Sequence, residues 1–370
     1  MTSHGVGING KWLSQPVTGT QRYAGEMVRR ILDGLPRPVT LHIPRDAEPP
    51  PWLPPDVRVR RSPLAGTLFE QVWLPWAGRR QLLVSLGGPA PVVAGRQVVT
   101  MHDASVFRFP DTYSGVFGAW YRLMYRVLAR RATAIVTVSR FSASELAAVL
   151  GAPVERFVVA GNGSDHVDQV RAARPDLPRL DESFVLCVGT FARHKNLSET
   201  LGLFESAGIR SVVVGASGGD RVFQSERRAA WQLATFAGRL ADEEVVWLYE
   251  HARCLVFPSR YEGFGLPVVE AQRKGCPVIA LAAASIPEVA GEGAILVERT
   301  EDLPAAVGLL DRDPCVRDAL EEAGRANADR RLWRDSAATV LDLITQLLGE
   351  VRDPNPPRRQ PSDRPHQDEP

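Results

Sequence analysis

The sequence predicts an α/β protein made of two doubly wound, Rossmann-like domains that face each other across a cleft. Three observations carry this. The second half alternates short β-branched runs with amphipathic helical stretches, the rhythm of a parallel sheet covered by helices on both faces. The first half contains runs of the same kind. The chain has 370 residues, about two domains at roughly 150 residues each.

The first strand falls at residues 6–9. It lies inside Gly5-Val-Gly7-Ile-Asn-Gly10, which matches the dinucleotide pattern GxGxxG. That pattern needs a strand before it and a helix after it, and neither fits here, which argues against an NAD-dependent sugar-nucleotide oxidoreductase. A helix is expected over 24–32, entered through Gly19-Thr20, whose free backbone N–H groups suit an anion as well as an ordinary helix start. Further strands are expected at 82–85, 98–101 and 134–138 in the first half. In the second they are expected at 184–188, 211–214, 235–236, 254–257, 277–280 and 294–297. Helical stretches at 242–252 and 266–274 separate some of these, and a last helix is expected from about 329 to 348. The resulting division is 1–170 for the first domain, 171–183 for a polar linker and 184–328 for the second domain. Residues 329–349 form a helix that returns to the first domain, and 350–370 a Pro-rich tail expected to be disordered.

Charge narrows the class. Lys and Arg total 44 against 43 Asp and Glu, so a dedicated nucleic-acid binder is not expected. The balance is local, however: residues 1–170 carry 19 basic and 12 acidic groups, residues 171–370 carry 25 and 31. Only Lys11, Lys195 and Lys274 are lysines. Cys187, Cys254, Cys276 and Cys315 form no CxxC pair and read as reduced thiols. With neither a signal peptide nor an apolar run of membrane-spanning length, a cytoplasmic protein is expected.

Four stretches carry chemistry. His102-Asp103 ends a strand, where a doubly wound domain places its substrate; a pair that merely caps the next loop reads equally well. Arg193 and Lys195 follow the first strand of the second domain and offer two separate cations to a diphosphate, unless the stretch is simply a solvated basic loop. The densest signal is PSRYEGFGLPVVEA, residues 258–271, in which a buried strand runs into a Gly-rich turn and a helix opening near Pro267. There the open amides from Gly263 to Leu266 make a cradle for an anion or hydroxyls, and Glu262 and Glu270 on either side can reach different parts of one ligand. Asp311-Arg-Asp313 has no strand leading to it and reads as helix-start chemistry, so no metal site is expected. Arg122, Arg126 and Arg130 line one face of a helix. That face is either simply solvated or turned to anionic lipid or a phosphorylated acceptor.

Taken in order, these stretches resemble the retaining glycosyltransferases of the GT-B type, specifically glycosyltransferase family 4. Glu262…Glu270 matches the Glu-x7-Glu motif, and Gly19-Thr-Gln-Arg-Tyr is similar to the N-terminal glycine loop. VTMHDASVFRFP, VSRFSASEL, Asn162-Gly-Ser-Asp165, VGTFARHKN, FAGRLADEEVVWLYEHA, KGCPVIA and SIPEV follow in the family's order. The resemblance implies that Arg193 and Lys195 bind the donor diphosphate, Glu270 the ribose, and Glu262 with the backbone of Phe264, Gly265 and Leu266 the donor sugar. It places Gly19 and Thr20 near the phosphate and His102 and Asp103 beside the reacting carbon. Many relatives carry an acidic residue and then Pro-Arg-Lys-Asn where this chain has Ala192-Arg193-His194-Lys195-Asn196. The implied activity is metal-independent transfer of a sugar, mannose favoured, from GDP-mannose to a glycan or polyprenyl-diphosphate-linked acceptor. It needs no cofactor and includes a peripheral contact with the anionic inner membrane. The alternative is a catalytically silent protein of the same fold that binds glycan or an assembly partner.

Overall fold

The structure, a computed structural model, describes residues 5–113, 115–215 and 230–349. The tail at 350–370 lies outside the described residues. The first sheet has seven parallel strands: β1 (Val6–Asn9), β2 (Val39–Ile43), β3 (Arg58–Arg61), β4 (Leu82–Ser85), β5 (Gln97–Thr100), β6 (Ala134–Thr137) and β7 (Phe157–Val159). Their order is β3-β2-β1-β4-β5-β6-β7. The second sheet holds β8 (Val185–Val188), β9 (Ser211–Val214), β10 (Ala234–Gly238), β11 (Leu255–Phe257), β12 (Val278–Leu281) and β13 (Ala294–Val297). It runs β10-β9-β8-β11-β12-β13, also parallel. Each sheet therefore reverses its winding beside its first strand, between β1 and β4 and between β8 and β11. Crevices open there at the carboxyl ends of the strands.

Every expected strand is present within one or two residues of its expected bounds. Three others, β2, β3 and β7, carry weak signals. β2 reads VTLHI, with two polar residues in a fully buried strand. β3 reads RVRR along an exposed edge, where charge discourages pairing with another chain. β7 has three residues only. The first helix runs Gly19–Ile31, starting earlier than expected, because its polar first turn precedes the buried Tyr23, Ala24, Met27, Val28 and Ile31. The expected single helix from 329 is corrected: one helix, Pro314–Asp329, ends there, and another, Trp333–Gly349, begins after a break. The second helix is started from outside itself, its Trp333 N–H donating to Asp165 Oδ1 at 2.7 Å. Its Trp333, Ala337, Val340 and Ile344 belong to the same core as β1, β2 and β4.

One buried titratable group lies on β2 of the first sheet. His42 on β2 is fully buried, donates from Nε2 to Gln81 Oε1 at 2.7 Å and leaves Nδ1 without a partner. Gly7 makes room for this pair, since a Cβ there would sit 2.7 Å from Gln81 Oε1. Burial pushes the imidazole from 6.5 down to about 4; the Gln81 bond opposes this, and nearby Arg60 and Arg58 reinforce it. Below pH 6.5 the unfolded chain takes up a proton that the folded chain refuses until about pH 4. Stability is therefore complete above that window and falls through it, by about 2 kcal/mol for this group between about pH 6.5 and 4.5. His42→Leu should flatten that part of the acid limb in urea titrations at a series of pH values; an unchanged slope would refute the assignment.

Candidate functional site

The loops after β5 and β11 meet face to face. Gly263 presses against the first domain: a Cβ there would lie 2.6 Å from the His102 carbonyl oxygen and 2.9 Å from Asp103 Cβ. Its own carbonyl accepts from Ser139 Oγ at 2.6 Å and Ser142 Oγ at 3.0 Å. Beside it, the Ala104 N–H donates to Tyr261 Oη at 3.2 Å. From the second domain, the Glu288 carboxylate accepts the Arg140 and Phe141 N–H groups at 3.1 and 3.2 Å, capping the helix Arg140–Leu150. These contacts are made largely to main chain.

The Gly-rich turn then enters the helix Leu266–Arg273 through Gly265, whose φ of +96° favours glycine. Space demands glycine as well, because a Cβ would meet Ile286 Cδ1 at 2.6 Å. Ser285 Oγ lies 3.0 Å from the Glu262 carbonyl and 2.9 Å from that of Phe264, holding the turn from beneath. Phe264 is buried in the first domain's core together with Leu266. The turn at 264–266 is thus held by hydrogen bonds on one side and by core packing on the other.

Lys195 and Glu262 are each other's partner. The ammonium donates to both carboxylate oxygens, at 2.6 and 2.8 Å. Their loops follow β8 and β11, which are neighbours at the winding reversal. Arg193 is exposed and has no side-chain partner among the described residues. His194 lies between them, tilted against Phe109 of the first domain at 5.1 Å, its Nδ1 buried without a partner. Burial and Lys195 push its pKa below the usual histidine value, against Glu262 and Asp103. Asn196 turns back in the left-handed region and donates to Thr300 Oγ1 at 2.9 Å, anchoring the loop.

Glu270 sits at the end of a hydrogen-bonded chain. The Trp333 indole donates to His166 Nδ1 at 3.0 Å, and His166 Nε2 donates to Glu270 Oε1 at 3.0 Å. An indole N–H only donates, so the ring's proton is on Nε2. Tyr249 donates to the other oxygen, Oε2, at 2.9 Å. Burial raises the carboxyl's pKa, but the bonds from His166 and Tyr249 and the charge of Arg22 outweigh it, and the net shift is downward. Glu270 is thus an aligned carboxylate, each oxygen retaining a lone pair for a hydroxyl. Sequence reasoning did not find His166, Tyr249 or Trp333.

On the other side, His102 donates from Nε2 to the Leu86 carbonyl at 3.1 Å and packs edge-on to Tyr23 at 5.0 Å. Burial lowers its pKa, against the bond to Leu86 and the charge of Asp103, so the ring is neutral with Nδ1 free to accept. Asp103 does cap its loop, Oδ1 accepting from Ser105 N at 2.7 Å, while Oδ2 has no protein partner among the described residues. Both residues, with Thr20, line a cavity of about 230 Å³. Gly19 opens its helix with no heavy atom within 4 Å of where a Cβ would stand.

Among the described residues no group of three or more His, Cys, Asp or Glu is arranged to hold a metal ion. Asp313 caps the helix Pro314–Asp329 through the Cys315 and Val316 N–H groups, as expected for helix-start chemistry, and Asp311 pairs with Arg253. Of the arginine stripe, Arg122 donates to the Val106 carbonyl and Arg126 covers the Phe107 ring.

Two doubly wound domains with a charged, Gly-rich cradle on one and a His-Asp loop on the other define a GT-B glycosyltransferase. The chain belongs to this class by family as well. Residues 170–327 match the family model for glycosyl transferases group 1, and residues 36–167 the model for glycosyltransferase family 4. Among curated relatives, the O-antigen chain mannosyltransferase B of Escherichia coli is 26% identical over 316 residues, covering 78% of this chain and 82% of that protein. The O-antigen chain mannosyltransferase RfbU of Salmonella typhimurium is 24% identical over 242 residues, 61% of this chain and 63% of its own. Among solved structures, the sucrose-phosphate synthase of Thermosynechococcus elongatus superposes with a TM-score of 0.72 at 19% identity, over 94% of this chain and 99% of that one.

The seam yields a test that needs no substrate. Gly263→Ala should force the His102 and Gly263 loops apart, an overpacking cost of about 1–3 kcal/mol. That corresponds to a melting-temperature drop of roughly 2–10 °C with unchanged far-ultraviolet circular dichroism. Wild-type melting behaviour in this variant would show that the two loops do not meet.

Proposed function

We propose that the chain transfers mannose from GDP-mannose to a glycan or lipid-linked acceptor, with retention of configuration and without a metal ion. The observation that carries the reading is the convergence of Lys195, Glu262 and the Glu270 chain around one helix N-terminus, opposite His102 and Asp103. Mannose is favoured by the two O-antigen mannosyltransferase relatives.

Breaking the anomeric C–O bond leaves negative charge on the β-phosphate and positive charge on the sugar. Lys195 has a third ammonium proton beyond the two given to Glu262, and Arg193 has no side-chain partner among the described residues; together with the helix N-terminal amides they take up the phosphate charge. Glu270 receives the ribose hydroxyls, and Glu262 with the amides at 264–266 the hydroxyls of the donor sugar. In a front-face reaction the acceptor oxygen bonds to the anomeric carbon while its proton passes to the departing phosphate. His102, neutral and half-buried, and Asp103 position the acceptor. Gly19 and Thr20 approach the phosphate from the first domain.

Thermal melting with GDP-mannose, GDP, UDP-glucose and UDP tests the donor. A ligand at a hundred times its Kd adds about 2.7 kcal/mol, roughly 5–10 °C, and the guanosine compounds should give the larger shift. No shift with any of them would favour the silent alternative. Lys195→Ala should lose about a hundredfold or more in turnover and also some stability, because Glu262 is left without its cation; with an unchanged far-ultraviolet circular dichroism spectrum at the assay temperature, near-normal turnover would sink the phosphate role. The basic surplus of the first half further predicts salt-sensitive cosedimentation with anionic vesicles, and indifference to lipid charge would count against a membrane contact.

A further inference from the structure

Away from the donor cradle, the first domain buries an ion pair at its own winding reversal. Lys11 follows β1, and its ammonium donates to Glu70 Oε2 at 2.7 Å. The Glu70 side chain is 1% exposed and that of Lys11 16%, so each charge would be costly there without the other. Asn9, the last residue of β1, joins them: its Oδ1 accepts the Lys11 N–H at 3.1 Å, and its Nδ2 lies 3.5 Å from Glu70 Oε1. The same amide nitrogen reaches Ser85 Oγ at 3.2 Å and the Pro89 carbonyl at 3.4 Å.

Glu70 and Gln71 belong to a wide turn of the π type, Phe69–Trp73, set between two short α-helical pieces. Single turns of this kind are frequent at functional sites. Gln71 continues what Glu70 begins: its Nε2 donates to the Ala90 carbonyl and its Oε1 accepts the Val92 N–H, both at 3.0 Å. Two consecutive side chains thus grip the loop after β4, Gln71 directly at Ala90 and Val92, Glu70 through Asn9 at Ser85 and Pro89. Residues 86–96 form neither helix nor strand, so their course rests on such ties, and Gln97 Nε2 adds one to the Pro91 carbonyl at 2.9 Å.

The loop in turn holds His102. Its Leu86 carbonyl accepts the His102 Nε2–H at 3.1 Å. Gly88, at a φ of +90°, passes beside the ring, and a Cβ there would stand 3.8 Å from His102 Cδ2. A neutral imidazole carries one N–H, and the acceptor it is offered decides which nitrogen keeps it.

We propose that Glu70 and Gln71 are positioning residues for sugar transfer: their grip on the loop after β4 fixes the Leu86 carbonyl, which holds the His102 proton on Nε2 and leaves Nδ1 as an acceptor. Lys11 is the counter-ion that allows Glu70 to act from a buried position. This rests on the glycosyltransferase reading of the cleft, in which His102 positions the acceptor. The ring's tautomer is measured without substrate, so the two can fail separately.

Long-range proton–nitrogen correlation NMR of the full chain, labelled at the histidine rings, tests it, with the His102 signals identified by their loss in His102→Gln. Wild type should show His102 as one tautomer, Nε2–H. Gln71→Ala removes the ties to Ala90 and Val92 and should turn that signal into a mixture of both tautomers, as should Glu70→Ala. Glu70→Gln keeps an acceptor for Asn9 and Lys11 and should restore most of the single tautomer. With GDP-mannose as donor, kcat should fall about tenfold in the alanine variants at unchanged donor KM, and the thermal shift with GDP should stay at its wild-type value. A mixture of tautomers in wild type, or a single Nε2–H tautomer in folded Gln71→Ala, would overturn the proposal. So would wild-type kcat alongside a mixed tautomer. If Glu70→Ala fails to fold, Gln71→Ala decides alone. Loss of the GDP shift in the wild type would instead count against the donor reading.

Discussion

The burial of one indole sets the relation between the two sheets. Trp333 is fully buried, lies edge-on to Tyr23 of the first helix and to His166, each at 5.9 Å, and hydrogen-bonds through both its nitrogens. Its backbone N–H caps on Asp165, which also holds Arg30, and its ring N–H fixes His166. The helix behind it fills the first domain's core although it follows the last strand of the second. One side chain thereby joins the tertiary packing of one domain to the orientation of a carboxylate in the other. A single buried aromatic anchor of this kind contributes several kcal/mol, about 3–5 in truncation series.

Electrostatics at the cleft follows from the same closure. Three charged side chains, Lys195, Glu262 and Glu270, are half-buried at the cleft, and each would be costly alone. Lys195 and Glu262 answer this by pairing with each other, Glu270 by accepting from His166 and Tyr249. His102 and His194 answer it by staying neutral. The ammonium of Lys195 is therefore already held in place beside the Gly-rich turn.

Much of this was legible in the sequence, for identifiable reasons. Buried parallel strands are continuous β-branched runs, so all six strands of the second sheet could be read, as could the turn after β11 with its Gly and Pro punctuation. β3 could not, because RVRR carries the signature of an exposed edge instead of a core. The break before Trp333 was invisible because its cap, Asp165, is 168 residues away. For the same reason nothing linked Glu270 to His166, 104 residues back. Lys195 and Glu262 were each read as ligand contacts, yet their pairing across 67 residues follows only once β8 and β11 are known to be neighbours. Single residues with local signatures are readable; pairs made by topology are not.

The contacts that close the seam at Gly263, Ala104 and Arg140 have a consequence for how the cleft admits its substrates. Each is a hydroxyl or carboxylate bound to main chain, so water can take its place at little net loss, roughly 0.5–1.5 kcal/mol per bond. Trp333 and Phe264 have no such substitute, since parting them would wet apolar surface. The polar contacts can thus exchange with water one bond at a time, whereas the aromatic contacts part only by exposing the core they belong to.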